Sequence, residues 1–399
     1  MNLPSETAGT IVIVGGGVIG SSIAYNLLQD GYLGRVLVIE RDPTYKRASS
    51  FLAMGGIRQQ FSSPVNIELA QYSTRFYQVF DRQMQVPGHT PDVNFRQRGY
   101  LFLVDEASAD RFEARVSHQR ALGASVERLS IDQLHVRLPD VRLDDIEFGV
   151  FGPKDGYGEP REVLAGFRAA AAAVGASYLR AEVVDLIVRP GQIDGVILNS
   201  GERLFADAVV NAAGPFAHKL AAMAGIDLPV QPVRQHLFRC ELPRRWPYKF
   251  PMVVDPTGVH WRHDDNPTSS TGDCLIVAHT RLDEPPGETF TCDLSRWEVD
   301  FRLPLVERVP KLEPVKLIEG WAGLYAMTPD HNPLLGQSSK LSNFFLANGF
   351  SGHGLMLAPA IGKVLSELIR TGQSETIDVT CLNPDRFEHG KPVHDEAMI

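Results

Sequence analysis

The sequence predicts an α/β fold in which a dinucleotide-binding unit is interrupted by inserted β-rich segments. Three observations carry this expectation. A glycine-punctuated strand–helix–strand unit opens the chain, and a glycine-punctuated strand and a long apolar helix close it. Residues 230–319 between them are rich in Pro, Trp, His and short β-like runs, the pattern of an antiparallel sheet.

The elements follow in order. Ile11-Val12-Ile13-Val14 is a short β-branched run of the kind buried on both faces of a parallel sheet. It has no basic stretch before it and no small-residue cleavage site after it, so it reads as a strand and not as a signal sequence. Ser21–Asp30 places Ile23, Ala24, Leu27 and Leu28 at helical spacing, with Gly31 where a helix ends. Val36–Ile39 is a second strand, ending at Glu40. Pro64–Met84 reads as a helix, Gly99–Val104 as a strand and Ala107–Leu122 as an amphipathic helix. The turn cluster Phe151–Pro160 leads into an alanine-rich helix from Arg161 to Val174. Ser177–Val188, Gln192–Asn199 and Arg203–Asn211 read as three strands separated by turn residues. Phe344–Ala347 is a strand, and Gly354–Thr371 the final helix.

Composition narrows the function classes. The 399 residues correspond to two or three domains at about 150 residues each. A formal charge of −9 argues against a general nucleic-acid binder. No stretch approaches the roughly 18 uncharged apolar residues of a membrane span. The cysteines at 240, 274, 292 and 381 have neither C-x-x-C nor metal-finger spacing, so reduced thiols and a cytoplasmic location are expected, with no metal site.

The chemistry-bearing motif is Gly15-x-Gly17-x-x-Gly20, set between a strand and a helix, with Glu40 twenty positions on. Gly15 permits a tight turn, Gly17 lets the backbone approach a pyrophosphate, and Gly20 allows close helix packing. Val18 and Ile19 open the helix whose N-terminus would face the phosphates, and Glu40 would accept hydrogen bonds from ribose hydroxyls. An acidic residue there disfavours a 2′-phosphate, although adjacent Arg41 keeps that reading open. The motif alone does not separate FAD from NAD.

Later segments do. Arg47-Ala48-Ser49-Ser50, the turn Gly55-Gly56-Ile57-Arg58 and Asp155-Gly156-Tyr157 are followed by Val209-Val210-Asn211-Ala212-Ala213-Gly214-Pro215. Then come Gly323–Asp330, containing Tyr325-Ala326-Met327-Thr328-Pro329-Asp330, and Asn348-Gly349-Phe350-Ser351-Gly352-His353-Gly354. In this order and spacing the chain resembles the FAD-dependent D-amino-acid oxidase superfamily, in its sarcosine oxidase and glycine oxidase branch, over about residues 10–372. The Gly55–Ser62 stretch also resembles a mitochondrial relative implicated in respiratory-complex assembly.

The resemblance implies a Rossmann-type FAD-binding domain interleaved with an antiparallel β-rich substrate-binding domain. The expected division is 1–85, 151–230 and 320–399 for FAD, and 86–150 and 231–319 for substrate. It implies FAD contacts at Ser49, Ser50, Ala53, Met54, Gly55, Val183, Ala213, Gly214, Gly349 to Gly354 and Met356. The helix start at Gly354 would present its N–H groups to the flavin. Many relatives link FAD through a cysteine at the position of Gly323, and others through a histidine near Phe51-Leu52-Ala53-Met54. Neither residue is present, so non-covalent FAD is expected.

The substrate positions depart further. Where relatives hold the substrate carboxylate with an arginine and a lysine, this chain has Phe61 and Met356, and where others use an arginine it has Tyr325. Arg58, Arg234, Arg239 and Arg262 are the candidate replacements, and His260 and His279 fall near positions that face the flavin. Arg58, His260, His279, Tyr325 and His353 are therefore the candidate catalytic residues. The family lysine that activates oxygen would fall near Ile276. The implied reaction is oxidation of the C–N bond of a secondary amine or N-substituted amino acid by hydride transfer to flavin N5. O2, a quinone or a protein would be the acceptor, and a heteromeric partner is compatible with the branch. The rival readings are a flavin-holding assembly scaffold without amine turnover and an NAD-dependent reductase.

Overall fold

The computed structural model describes residues 9–264, 270–280 and 284–395, so residues 265–269 and 281–283 of the expected antiparallel region lie outside it. The β-branched run forms the strand Thr10–Val14 at the heart of a six-stranded sheet. Its spatial order is Leu334–Gln337, Phe344–Asn348, Ala208–Asn211, Thr10–Val14, Arg35–Glu40 and Ser177–Arg180. All neighbours are parallel except the edge strand Leu334–Gln337. Ile13 pairs with Val38 on one side and Val210 on the other, and it is fully buried. The chain leaves this central strand toward one neighbour and returns much later to the other. That arrangement opens a crevice at the strands' carboxyl ends, where open α/β sheets bind their ligands.

Two helices, Val18–Gln29 and Gly354–Thr371, cover one face of this sheet in close contact. A Cβ at Gly362 would come within 2.1 Å of Ser22 Oγ, and Ser22 Oγ donates to the Ala358 carbonyl at 2.7 Å. Pro359 lies inside the second helix, where it cannot supply the N–H that Leu355 would otherwise receive. The Tyr77 hydroxyl donates to that carbonyl instead.

The second large sheet has eight strands, in the order Lys316–Met327, Gln231–Glu241, Cys274–His279, Val259–Asp264, Met252–Val254, Tyr100–Val104, Phe148–Gly152 and Glu127–Leu129. Val259–Asp264 is buried throughout, because one face packs on a core containing Phe238, Trp261 and Phe301 and the other looks toward the crevice.

Four sequence expectations change. Pro64–Met84 breaks at Gln78 and Val79 into Pro64–Tyr77 and Phe80–Gln83. Ser177–Val188 is two strands, because the chain leaves the parallel sheet at Ala181 and enters a three-stranded meander at Val183. Arg203–Asn211 splits in the same way, Arg203–Phe205 closing the meander and Ala208–Asn211 joining the parallel sheet. A β pattern shows that a segment is extended but not which sheet it joins. The antiparallel region also contains a helical stretch, Trp297–Arg302 continuing to Arg308, which buries Trp297, Phe301 and Leu305.

Candidate active site

One elongated cavity runs from the carboxyl end of Thr10–Val14 to the inner face of the eight-stranded sheet. Its first part is built from backbone. Gly15 has φ +108°, and a Cβ there would come within 2.3 Å of the Ala212 carbonyl oxygen. Gly17 differs. Its backbone is extended, and a Cβ would meet no protein atom closer than Ser50 Oγ at 3.6 Å. The protein leaves that space to the cavity, the kind of cradle a pyrophosphate fills. The helix behind it starts with no acidic residue in its first turn, and Val18 and Ile19 line the cavity there, the Val18 N–H lying 3.4 Å from Ser50 Oγ, to which it donates. Glu40 is aimed by two backbone donors, Gly16 N–H at 2.9 Å and Asp42 N–H at 2.8 Å, and lines the far end with Arg41, Val183, Ala213 and Gly214. The Arg41 guanidinium lies 4.0 Å over the Phe216 ring and 3.5 Å from Glu182.

A second helix start enters the same cavity. Asn348-Gly349-Phe350-Ser351-Gly352 turns sharply, with positive φ at Gly349, Ser351 and Gly352, and delivers His353 as the uncapped first position of Gly354–Thr371. A Cβ at Gly352 would come within 2.5 Å of the Tyr325 ring, so glycine there lets Tyr325 reach the cavity. The close contact of the two helices brings their positive ends together, as a ligand with phosphates at one end and an electron-rich ring at the other requires.

The remaining end is built from side chains. Arg58 is fully buried. Its guanidinium lies 4.4 Å over the Phe61 ring, Nη2 donates to His353 Nε2 at 3.3 Å, and Nη1 donates to the Gln60 carbonyl. Burial, followed by the charge of Arg58, lowers the pKa of His353, so this imidazole is neutral. Burial also lowers His260 to about 4, helped by His279 and Arg58. The His260 Nδ1 lies 3.1 Å from the Gly258 carbonyl oxygen and donates to it in the neutral tautomer, leaving Nε2 an acceptor. Tyr100 is pushed up to about 12 and Tyr325 is raised, both by burial, so both are neutral phenols. Leu237, Met252 and Met54 complete an apolar chamber with Gln235.

Among the predicted cofactor residues, Gly20 and Gly349 pack behind the lining and the others line the cavity. His279 does not line it, which corrects its expected catalytic role. His260 pairs with Ala278, so those two share the cavity face, and His279 falls on the opposite face. There its ring nitrogens lie 3.0 and 3.1 Å from the carbonyl oxygens of Asp300 and Thr257. Arg234, Arg239 and Arg262 are also outside the lining. Arg234 pairs with Glu284 at 2.5 Å, Arg239 with Asp264 at 2.6 Å, and Arg262 donates to the Met54 carbonyl at 2.7 Å. Sequence reasoning missed Tyr100, Gln235, Leu237 and Met252. The alternation of Gln235 and Leu237 with buried Phe238 and Cys240 was visible, but not which face met the cavity.

Known proteins share this architecture. The family described as FAD dependent oxidoreductase, DAO, matches residues 10–368. The chain belongs to that family. Its cofactor is FAD, and its relatives place it with the sarcosine oxidase and glycine oxidase branch. FAD-dependent oxidoreductase domain-containing protein 1 of Bos taurus is 32% identical over 100% of this chain and 88% of its own length. Mitochondrial sarcosine dehydrogenase of Homo sapiens is 28% identical over 98% of this chain and 43% of its own length. The crystal structure of L-proline dehydrogenase from P. horikoshii superposes with a TM-score of 0.85 at 28% identity, covering 98% of this chain and 100% of its own. Among the described residues no helix is long and apolar enough to cross a membrane, and no cluster of His, Cys, Asp or Glu could hold a metal ion.

Proposed function

We propose that this DAO-family protein oxidises the C–N bond of a secondary amine or N-substituted amino acid, with FAD bound non-covalently. The observation that carries this reading is the chamber itself, where a buried guanidinium and a neutral imidazole acceptor face the same apolar space. FAD, when bound, would supply a hydride acceptor for the C–H beside the substrate nitrogen, and the resulting imine would be hydrolysed by water. The chain's own residues do the rest. Gly15, Gly17 and the 18–29 helix start would hold the pyrophosphate, Glu40 the ribose, and the 354–371 helix start the ring's electron-rich edge. Arg58 gives an anionic substrate group a partner in a place where a lone carboxylate would be costly. His260 Nε2 accepts from the substrate N–H and orients it, while Leu237, Met252 and Met54 exclude water.

We infer an electron acceptor other than O2, a quinone or a carrier protein. Ile276, near which an oxygen-activating lysine would fall, is buried, and Lys219, the lysine among the lining residues, pairs with Glu288 at 2.5 Å. A cytoplasmic location, with the cysteines at 240, 274, 292 and 381 reduced, is part of the proposal. The test is anaerobic mixing of the yellow protein with N-methyl and cyclic amino acids and simple amines. Bleaching of the flavin band supports amine turnover, and slow return of colour on admitting oxygen supports the dehydrogenase reading. A flavin that none of them bleaches refutes it. Acid precipitation should leave the colour in the supernatant, and a yellow pellet would refute non-covalent binding.

A further inference from the structure

The segment that carries Arg58 is tied down by the far end of the chain. After the final helix the chain passes through two short turns, Thr380–Leu382 and Pro384–Arg386, and returns to the start of the 64–77 helix. Buried Arg386 anchors the return. Its Nε and Nη2 each donate to the Asp330 carboxylate at 2.8 Å, and its Nη1 and Nη2 donate to the carbonyls of Pro333 and Asn332. Val393 N–H then donates to Asp330 Oδ2 at 2.9 Å.

Two residues further on, Asp395 reaches the helix start. Its Oδ1 accepts from the Ser62 N–H at 3.1 Å and the Ser62 hydroxyl at 2.7 Å. Its Oδ2 accepts from the Ser63 N–H at 3.1 Å, the Ser63 hydroxyl at 2.8 Å and Asn66 Nδ2 at 2.9 Å. Ser63 is the first position of the helix but makes no side-chain cap of its own. A carboxylate more than 300 residues away in sequence does that work, at the positive end of the helix dipole.

The clasp sits next to the chamber. Phe61 immediately precedes Ser62, and its ring supports the Arg58 guanidinium at 4.4 Å and meets the His353 ring edge-on at 5.0 Å. The other end of the segment is held where Gln59 and Gln60 donate to Asp155 at 3.2 and 3.1 Å. The charge of Asp395 is felt at His353, where it opposes the lowering caused by burial and Arg58.

We infer that Asp395 is a positioning residue, which holds the Ser62–Ser63 turn so that Phe61 presents the Arg58 guanidinium to the flavin-ring end of the site. The inference rests on the proposed placement of the ring at that end. A side chain that must act at fixed geometry needs such support from its surroundings.

The test measures the flavin midpoint potential of FAD-loaded full-length protein by reductive titration with dithionite and a reference dye, which needs no substrate. A cation held beside the ring favours the reduced flavin, so Arg58→Met, which removes the charge, should lower the potential. Asp395→Ala should lower it too, although removing a nearby negative charge would by itself raise it. In the Arg58→Met background, Asp395→Ala should add little, because coupled neighbours are non-additive. Asp395→Glu should recover part of the loss. A rise, an unchanged potential or a fully additive fall in Asp395→Ala overturns the inference. If Arg58→Met also leaves the potential unchanged, the ring placement itself is wrong. Should Asp395→Ala fail to load FAD, the Ser62→Ala/Ser63→Ala variant removes two hydroxyl donors and should move the potential in the same direction by less. No movement there refutes the clasp.

Discussion

The two ends of the cavity are built in different currencies. The phosphate end is backbone: a glycine turn, the start of the 18–29 helix and a carboxylate aimed by main-chain donors. The ring end is side chain, with Arg58, Tyr100, Gln235, Met252, His260 and Tyr325 arriving from separate strands and turns. A backbone cradle needs glycine at a few fixed spacings, whereas a side-chain chamber needs only that the correct face of each strand be turned inward. The first should therefore be intolerant of any added atom, and the second tolerant of changes that preserve shape.

The largest expected effect tests the first half of that contrast. Gly17→Glu should abolish FAD retention, read as the ratio of flavin to protein absorbance after purification. The apoprotein should melt within a few degrees of the wild type, because a Cβ at this position meets no protein atom closer than 3.6 Å. Gly15→Ala should behave in the opposite way. With φ at +108° and a clash at 2.3 Å, it should destabilise the apoprotein itself, by about 1–3 kcal/mol. Equal apoprotein melts for the two variants would remove the distinction between a glycine kept for the ligand and one kept for the fold.

At the ring end, Arg58→Met should leave FAD bound and slow flavin reduction by a carboxylate-bearing substrate roughly 100-fold, measured by anaerobic stopped flow. Replacing a buried charge with an apolar chain of similar length should cost little stability. A simple amine without a carboxylate should be slowed much less. If both substrates suffer equally, Arg58 acts through the flavin alone and does not hold the substrate carboxylate.

The same contrast explains what could be read from sequence. The glycine turn, the strand after it and the final helix were legible because each requires specific residue types at specific spacings, and Gly354–Thr371 was bounded at both ends by its own signals. His260 and His279 could not be told apart, since their opposite fates depend on the pairing of His260 with Ala278, a register between strands. The strand breaks at Ala181–Glu182 and Ala206–Asp207 were hidden for a related reason. Local pattern shows extension, and only tertiary pairing shows a change of sheet. Asp330 belonged to a recognised motif, but its partner Arg386 lay in a stretch with no pattern of its own.

A smaller effect is expected at His260. His260→Gln keeps a hydrogen-bond acceptor with altered geometry, and should lower kcat/KM about tenfold. The acid limb of the kcat/KM profile should not move. His260 is held neutral down to about 4, so a limb at higher pH reports loss of a proton from the substrate amine. A limb that disappears in the variant would make His260 the titrating group.

The smallest effect concerns the fold beneath the chamber. Asp155 is fully buried beneath Gln59 and Gln60, and burial raises its pKa to about 7 against the hydrogen bonds and the Arg58 charge that oppose the rise. A carboxyl whose folded pKa lies above its unfolded value holds a proton in the native state that the unfolded chain has already released. Its contribution to stability is therefore intact below the ordinary carboxylate range and is lost as pH rises through about 7. Asp155→Asn cannot ionise, so the wild type should lose melting temperature relative to this variant between about pH 5 and pH 8, by a few degrees. Among the described residues, the backbone cradle at the phosphate end holds no fully buried carboxyl of this kind. A wild-type slope that survives in Asp155→Asn would assign the titration to another group and leave the Gln59–Gln60 clamp holding a permanently neutral or permanently charged partner.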